Sequence, residues 1–169
     1  MGYLHVYTGE GKGKTSAAFG MALRALGRGK RVFIGQFLKH EASGEVLALR
    51  DFPGVELRLF GSPRHVGDPM GEKDGRAALE GLSAAREAVA SGAYQLVILD
   101  ELNIALGRGL LAMADVEELI ASGGEETELV FTGRYAPREL REAADLVTEM
   151  VCERHYSRKG VAAREGIEY

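Results

Sequence analysis

Short apolar runs separated by helix-length amphipathic stretches organise the whole chain. Residues 3–7 (Tyr-Leu-His-Val-Tyr) read as a first strand, followed by a helical pattern over 15–26 that Gly27-Arg28-Gly29 ends. Residues 31–37 form a second buried strand and 55–60 a third. A continuous apolar run over 95–99 ends at Asp100, another spans 128–132, and 146–151 offers a sixth. Helical patterns occupy 71–92, 115–122 and 137–144, the last opening on Pro137, a residue favoured at the first helical position. Strands that are apolar throughout, rather than at alternate positions, are covered on both faces. Their alternation with helices predicts an α/β domain with a mostly parallel central sheet flanked by helices on both faces. There is no internal repeat, low-complexity tract or composition shift, so residues 1–169 read as a single domain. Two breaker-rich loops, 39–44 and 61–75, leave strands at their carboxyl ends, where parallel α/β sheets bind ligands.

The first strand-to-helix connection carries the chemistry. Thr8-Gly9-Glu10-Gly11-Lys12-Gly13-Lys14-Thr15 is a glycine-rich loop ending in Gly-Lys-Thr. Backbone N–H groups of such a loop converge on an anion, and the helix N-terminus adds its dipole. Lys14 supplies a point charge, and the Thr15 hydroxyl can ligate Mg²⁺. The usual template has glycine five residues before Gly13, where this chain has Thr8. Its glycines fall instead at 9, 11 and 13, alternating with Glu10 and Lys12.

A second feature completes the first. Leu96-Val97-Ile98-Leu99-Asp100-Glu101 is an apolar strand that delivers two carboxylates to its C-terminal end. Asp100-Glu101 alone could be a helix cap with a solvated neighbour. Paired with the phosphate loop, these carboxylates and Thr15 are the expected metal site, since Mg²⁺ bridges nucleotide oxygens, the loop hydroxyl and a carboxylate. The expected fold is therefore of the P-loop NTPase type.

Composition narrows the alternatives. A formal charge of −4 and a pI near 5.6 argue against a dedicated nucleic-acid binder. The single cysteine, Cys152, excludes an intramolecular disulfide framework and a cysteine-based zinc site. No basic segment followed by an apolar core precedes the first strand, and the apolar runs are strand-length, far short of a membrane span. The expectation is a soluble cytoplasmic protein. His5, inside a strand, reads as a core histidine rather than a ligand.

The chain resembles the P-loop family of corrinoid adenosyltransferases. The matching pieces are T-G-E-G-K-G-K-T-S at 8–16, Q-F-L-K at 36–39, V-I-L-D-E-L at 97–102, T-G-R at 132–134, A-D-L-V-T-E-M at 144–150 and G-I-E-Y at 166–169. They run in family order from end to end, and the shortened phosphate loop is itself a family trait. The resemblance implies that a cob(I) corrinoid attacks the ribose 5′-carbon of ATP and that triphosphate leaves. It also implies that ATP lies reversed, with its γ-phosphate where other P-loop proteins hold an inner phosphate. The implied nucleotide contacts are Gly9, Glu10, Gly11, Lys12, Gly13, Lys14, Thr15, Ser16, Gln36, Lys39 and Arg134. The implied catalytic groups are Lys14, Glu101 and Arg134, with Mg²⁺ on Thr15, Asp100 and Glu101. Arg134 could instead be a surface arginine and Lys39 merely solvated. The 156–160 stretch, near the nucleotide in the family, could be an ordinary turn. An electron-donating flavoprotein and a homodimer are expected by the same analogy.

The chain departs from the family in two places. It starts at its first strand, where well-known bacterial members have an extension covering the corrin. The loop after the third strand lacks the family's aromatic pair and reads Gly61-Ser62-Pro63-Arg64-His65-Val66. His65 is read as a polar loop residue, because axial coordination would oppose cob(I) formation. Two other readings stay open: an NTP hydrolase or kinase, resting on the loop and carboxylates alone, and a non-catalytic nucleotide-dependent corrinoid carrier.

Overall fold

The computed structural model describes residues 2–63, 69–124 and 126–169. The apolar runs pair into one six-stranded sheet among the described residues, every pairing parallel, in the order β3-β2-β4-β5-β1-β6. The strands are β1 (Leu4–Thr8), β2 (Val32–Phe37), β3 (Val55–Phe60), β4 (Leu96–Asp100), β5 (Glu128–Thr132) and β6 (Leu146–Glu149). The helices are α1 (Lys14–Leu26), α2 (Gly44–Leu49), α3 (Glu72–Ala90), α4 (Leu102–Gly107), α5 (Met113–Ala121) and α6 (Arg138–Ala143), with a 3₁₀ turn at Tyr156–Lys159.

The two faces of the sheet bury separate cores. Phe33, Phe37, Val97, Leu99 and Phe131 face one way, under helices that bring Leu82, Leu102, Val116, Leu119 and Leu140. Ile34, Ile98 and Val130 face the other way, against Ala18, Phe19, Ala22 and Leu26 of α1 and Val46 and Leu49 of α2. Every residue of β2 and β4 is buried, as two-sided coverage demands. His5 lies in β1 with Nε2 3.6 Å from Glu128 Oε2.

All six expected strands form. The short helices α2 and α4, of six residues each, had no periodic signal long enough to reveal them. Pro137 is the cap of α6 rather than its first helical residue, its ψ of 155° being extended. The expected loop over 61–75 is anchored at both ends by Asp74, whose carboxylate accepts from Ser62 Oγ at 2.8 Å and from the Gly71 N–H at 2.9 Å. His65 lies outside the described residues.

Strand order places the phosphate loop. β1 enters it between β5 and β6, and the chain leaving β6 passes directly behind the loop. The Gly11 N–H donates to the Met150 carbonyl at 2.7 Å. A Cβ on Gly9 would lie 2.5 Å from that carbonyl oxygen and one on Gly11 2.7 Å from it, and Gly9 also has φ 97°. The close backing of Met150 therefore accounts for glycine at 9 and 11. Gly9→Ala should destabilise the fold by on the order of 2–4 kcal/mol, combining strain with overpacking. Gly20→Ala, on an exposed and open stretch of α1, should stabilise it by about 0.5–1 kcal/mol. Thermal or denaturant unfolding of the two variants checks the contrast, and equal effects would contradict the Met150 explanation.

Candidate functional site

The carboxyl ends of the strands open into a cleft of about 630 Å³, lined by residues 10–16 of the loop together with Lys39, Ser43, Glu45, Met70, Glu101, Ile104, Arg108, Arg134, Tyr135, His155, Ile167 and Glu168. Gly13 caps α1 in a left-handed conformation, φ 115°, and among the described residues no side chain caps the helix. The first N–H groups of this 13-residue helix consequently face the cleft without a side-chain acceptor. Lys14 is buried to 8% exposure, and its ammonium donates to the Gly9 carbonyl at 2.8 Å and the Gly11 carbonyl at 2.7 Å. Burial pulls the Lys14 pKa below its ordinary value, with Glu101 opposing. An anion in the loop would relieve that cost by supplying the missing countercharge.

Asp100, fully buried, is the hub beneath the loop. Its Oδ1 accepts from Thr15 Oγ1 at 2.9 Å and Thr132 Oγ1 at 2.6 Å. Its Oδ2 accepts from Gln36 Nε2 at 2.7 Å and lies 3.5 Å from Lys39 Nζ. Thr132 Oγ1 in turn accepts from the Glu101 N–H at 3.1 Å. Glu101 sits in a left-handed conformation (φ 63°) at the start of α4, and its Oε2 is buried with no hydrogen-bond partner among the described residues. Burial, then the neighbouring Asp100 charge, raises the Glu101 pKa above the usual carboxylate range. An orphaned carboxylate oxygen beside the Thr15–Asp100 pair is an all-oxygen donor set, and it fits a hard divalent cation such as Mg²⁺.

The structure thus brings together Lys14, Thr15, Gln36, Lys39, Asp100 and Glu101, with Gly9, Gly11 and Gly13 shaping the loop. Glu10, Ser16 and Arg134 stand on the rim, Arg134 Nε lying 3.4 Å from Glu10 Oε2 with both side chains about half exposed. Lys12 is turned away from the loop: its ammonium meets Tyr156 Oη at 3.0 Å, the Ile167 carbonyl at 2.8 Å and Glu168 Oε1 at 2.7 Å.

Several residues here carried no assigned role in the sequence. Thr132 reaches Asp100 only because β5 lies between β1 and β4, an order that local pattern does not reveal. Buried Asn103 donates to the Tyr7 carbonyl at 3.2 Å and the Gly133 carbonyl at 3.2 Å, clamping the ends of β1 and β5. Arg108, with its guanidinium 5.0 Å from the Tyr135 ring centroid, and Ser43, with a buried hydroxyl that has no partner among the described residues, reach the cleft from the end of α4 and the start of α2.

A phosphate-binding loop at a helix start, tied to a buried aspartate on a strand one place removed, defines a P-loop nucleotide-binding protein. The family described as ATP:corrinoid adenosyltransferase BtuR/CobO/CobP matches residues 1–169, and the chain belongs to that family. It is 39% identical over 170 residues to a corrinoid adenosyltransferase of Pseudomonas aeruginosa, covering 99% of this chain and 84% of that protein. It is 33% identical over 168 residues to the Escherichia coli K12 corrinoid adenosyltransferase, with 99% and 86% covered. A Salmonella typhimurium corrinoid adenosyltransferase is 34% identical over 169 residues, also with 99% and 86% covered. Among the described residues no helix is long and apolar enough to cross a membrane.

The hub can be tested through one of its fully buried donors. Thr132→Val keeps the volume but removes the hydroxyl that Asp100 and the Glu101 N–H share. The expected cost is about 1–3 kcal/mol of unfolding free energy, the price of leaving buried polar atoms unpaired, measured by denaturant titration. An unchanged midpoint would show that Thr15 and Gln36 suffice to hold Asp100.

Proposed function

We propose that this protein transfers the 5′-deoxyadenosyl group of ATP to the cobalt of a cob(I) corrinoid, and that the cleft at residues 10–16 holds the triphosphate. The observation that carries this reading is the buried Lys14–loop–Asp100 assembly in a chain that the family matches over residues 1–169. The cobalt electron pair forms the Co–C5′ bond, the C5′–O bond breaks, and its electrons leave on triphosphate. No general base is needed, because the nucleophile carries no proton. The protein's task is to stabilise charge gathering on the leaving group.

Lys14 and the amides of the loop and of the α1 start are placed to do this. They are fixed before the reaction, so they need not reorganise as charge develops. Mg²⁺ would supply further charge neutralisation, held by Thr15, Asp100 and Glu101. With the triphosphate reversed, its terminal phosphate occupies the loop and the ribose points toward the cleft mouth. Arg134, Lys39 and Ser43 line the same cleft. Met70 lines the same cleft from the 61–75 segment, which supports entry of the corrinoid on that side. Reduction of the cobalt to cob(I) calls for an external electron donor, for which a flavoprotein is the expected partner, and a homodimer is the expected assembly.

Anaerobic incubation with ATP, Mg²⁺ and chemically reduced corrinoid should give a Co–C bond by absorption spectroscopy. Phosphorus NMR should show one triphosphate per bond formed. Orthophosphate or pyrophosphate as primary product would point to a hydrolase, and tight binding of both ligands without turnover to a carrier. Lys14→Ala should lower the rate by about 10²–10³, the usual loss for one preorganised charge-stabilising donor. Thr15→Ala and Glu101→Ala should instead raise the Mg²⁺ concentration needed for half-maximal turnover.

A further inference from the structure

Lys12 spends its hydrogen bonds on the far end of the chain. An ammonium has three donors, and here Tyr156 Oη, the Ile167 carbonyl and Glu168 Oε1 take one each, at 3.0, 2.8 and 2.7 Å. The Glu168 carboxylate is itself a convergence point. It accepts from the Tyr156 hydroxyl, from the Arg164 N–H at 2.8 Å and from the Arg164 guanidinium at 3.3 and 3.4 Å. The guanidinium and Lys12 also stand over the Tyr156 ring, 4.9 and 5.7 Å from its centroid. Residues 157–166 are exposed throughout. This segment is held by the polar cluster and not by the core.

Its course matters for the cleft. Ile167 and Glu168 line the cleft on the loop side, and a Cβ on Gly44, at the start of α2, would lie 3.9 Å from the Tyr169 carbonyl. Residues 167–169 therefore run from the phosphate loop to the start of α2 along one side of the cleft.

We propose that Lys12 is the post to which this strap is tied, not a phosphate ligand, and that Glu168 and Tyr156 are positioning residues that complete the nucleotide site by holding the strap along it. The proposal rests on the nucleotide lying in this cleft. While the strap is in place Lys12 has no donor left for a phosphate, and Lys14, whose hydrogen-bond partners among the described residues are the Gly9 and Gly11 carbonyls, remains the loop's phosphate cation. The 156–169 segment serves as a wall for the nucleotide, contacting it equally in the ground and transition states. Such contacts alter KM and leave kcat in place.

The test is a double-mutant cycle of Lys12→Ala and Glu168→Gln, read by calorimetric titration with Mg-ATP and by steady-state kinetics. Each single variant should weaken Mg-ATP binding by about tenfold, on the scale of a lost charge-assisted hydrogen bond. The double variant should lose no more than either single one, because both cut the same tie. The KM for ATP should rise in step with kcat unchanged, and Glu168→Asp should recover part of the affinity. Hydrogen exchange at the Gly166 and Glu168 amides should quicken in both single variants without nucleotide. A phosphate ligand at Lys12 predicts the opposite pattern: Lys12→Ala weakens binding while Glu168→Gln tightens or spares it. That result, or unchanged affinity in Glu168→Gln, overturns the proposal. If the wild-type protein binds no Mg-ATP at all, the nucleotide reading fails, while the exchange data still report whether Lys12 ties the strap.

Discussion

The buried carboxylate of Asp100 is the constraint on which the site is built. A charge removed from water is tolerated only when its oxygens are fully engaged. Here the partners come from α1 (Thr15), β2 (Gln36) and β5 (Thr132), with Lys39 beyond β2. Satisfying one ion therefore aligns the ends of three neighbouring strands and the first turn of the phosphate-loop helix. The same network sets Glu101, since Thr132 accepts from its N–H and the chain turns through a left-handed residue at that point. One Glu101 oxygen there is buried without a hydrogen-bond partner among the described residues. A fold that keeps such a carboxylate oxygen one residue from Asp100 forgoes stability at a place where a cation would restore it.

Much of this was legible in the sequence because each part rests on a local rule. Two-sided burial makes a strand apolar throughout, so all six strands could be read from runs such as 31–37 and 95–99. A loop that binds phosphate needs glycine, lysine and a hydroxyl at fixed spacing, so Lys14 and Thr15 could be named directly. The carboxylates followed because β4 ends on them.

The unread parts depend on who is next to whom. Thr132 gained its role from the insertion of β5 between β1 and β4. The glycines at 9 and 11 looked like features of phosphate binding alone. The structure adds that the Met150 backbone passes behind them at a distance that excludes any side chain. The motif at 144–150 is thus the back wall of the loop as well as an edge strand. Helices α2 and α4, of six residues each, were missed for want of a start signal, whereas the equally short α6 is marked by Pro137. The Lys12–Glu168 contact joins positions separated by 156 residues, which no window along the chain can see.

These placements also bear on why one loop carries two lysines that are not equivalent. Lys14 is nearly buried, and its desolvation is a cost that an anion held in the loop would relieve. Lys12 is more exposed, and its ammonium is already neutralised by a carboxylate. Only the first stores electrostatic energy that a ligand can release. On the proposed reading, burial, not sequence position in the loop, separates a charge that would stabilise the leaving group from one that fastens the end of the chain. In a reaction with no proton to move, that distinction is most of what the protein contributes: a few fixed donors around the triphosphate, and enough surrounding chain to hold the nucleotide still against them.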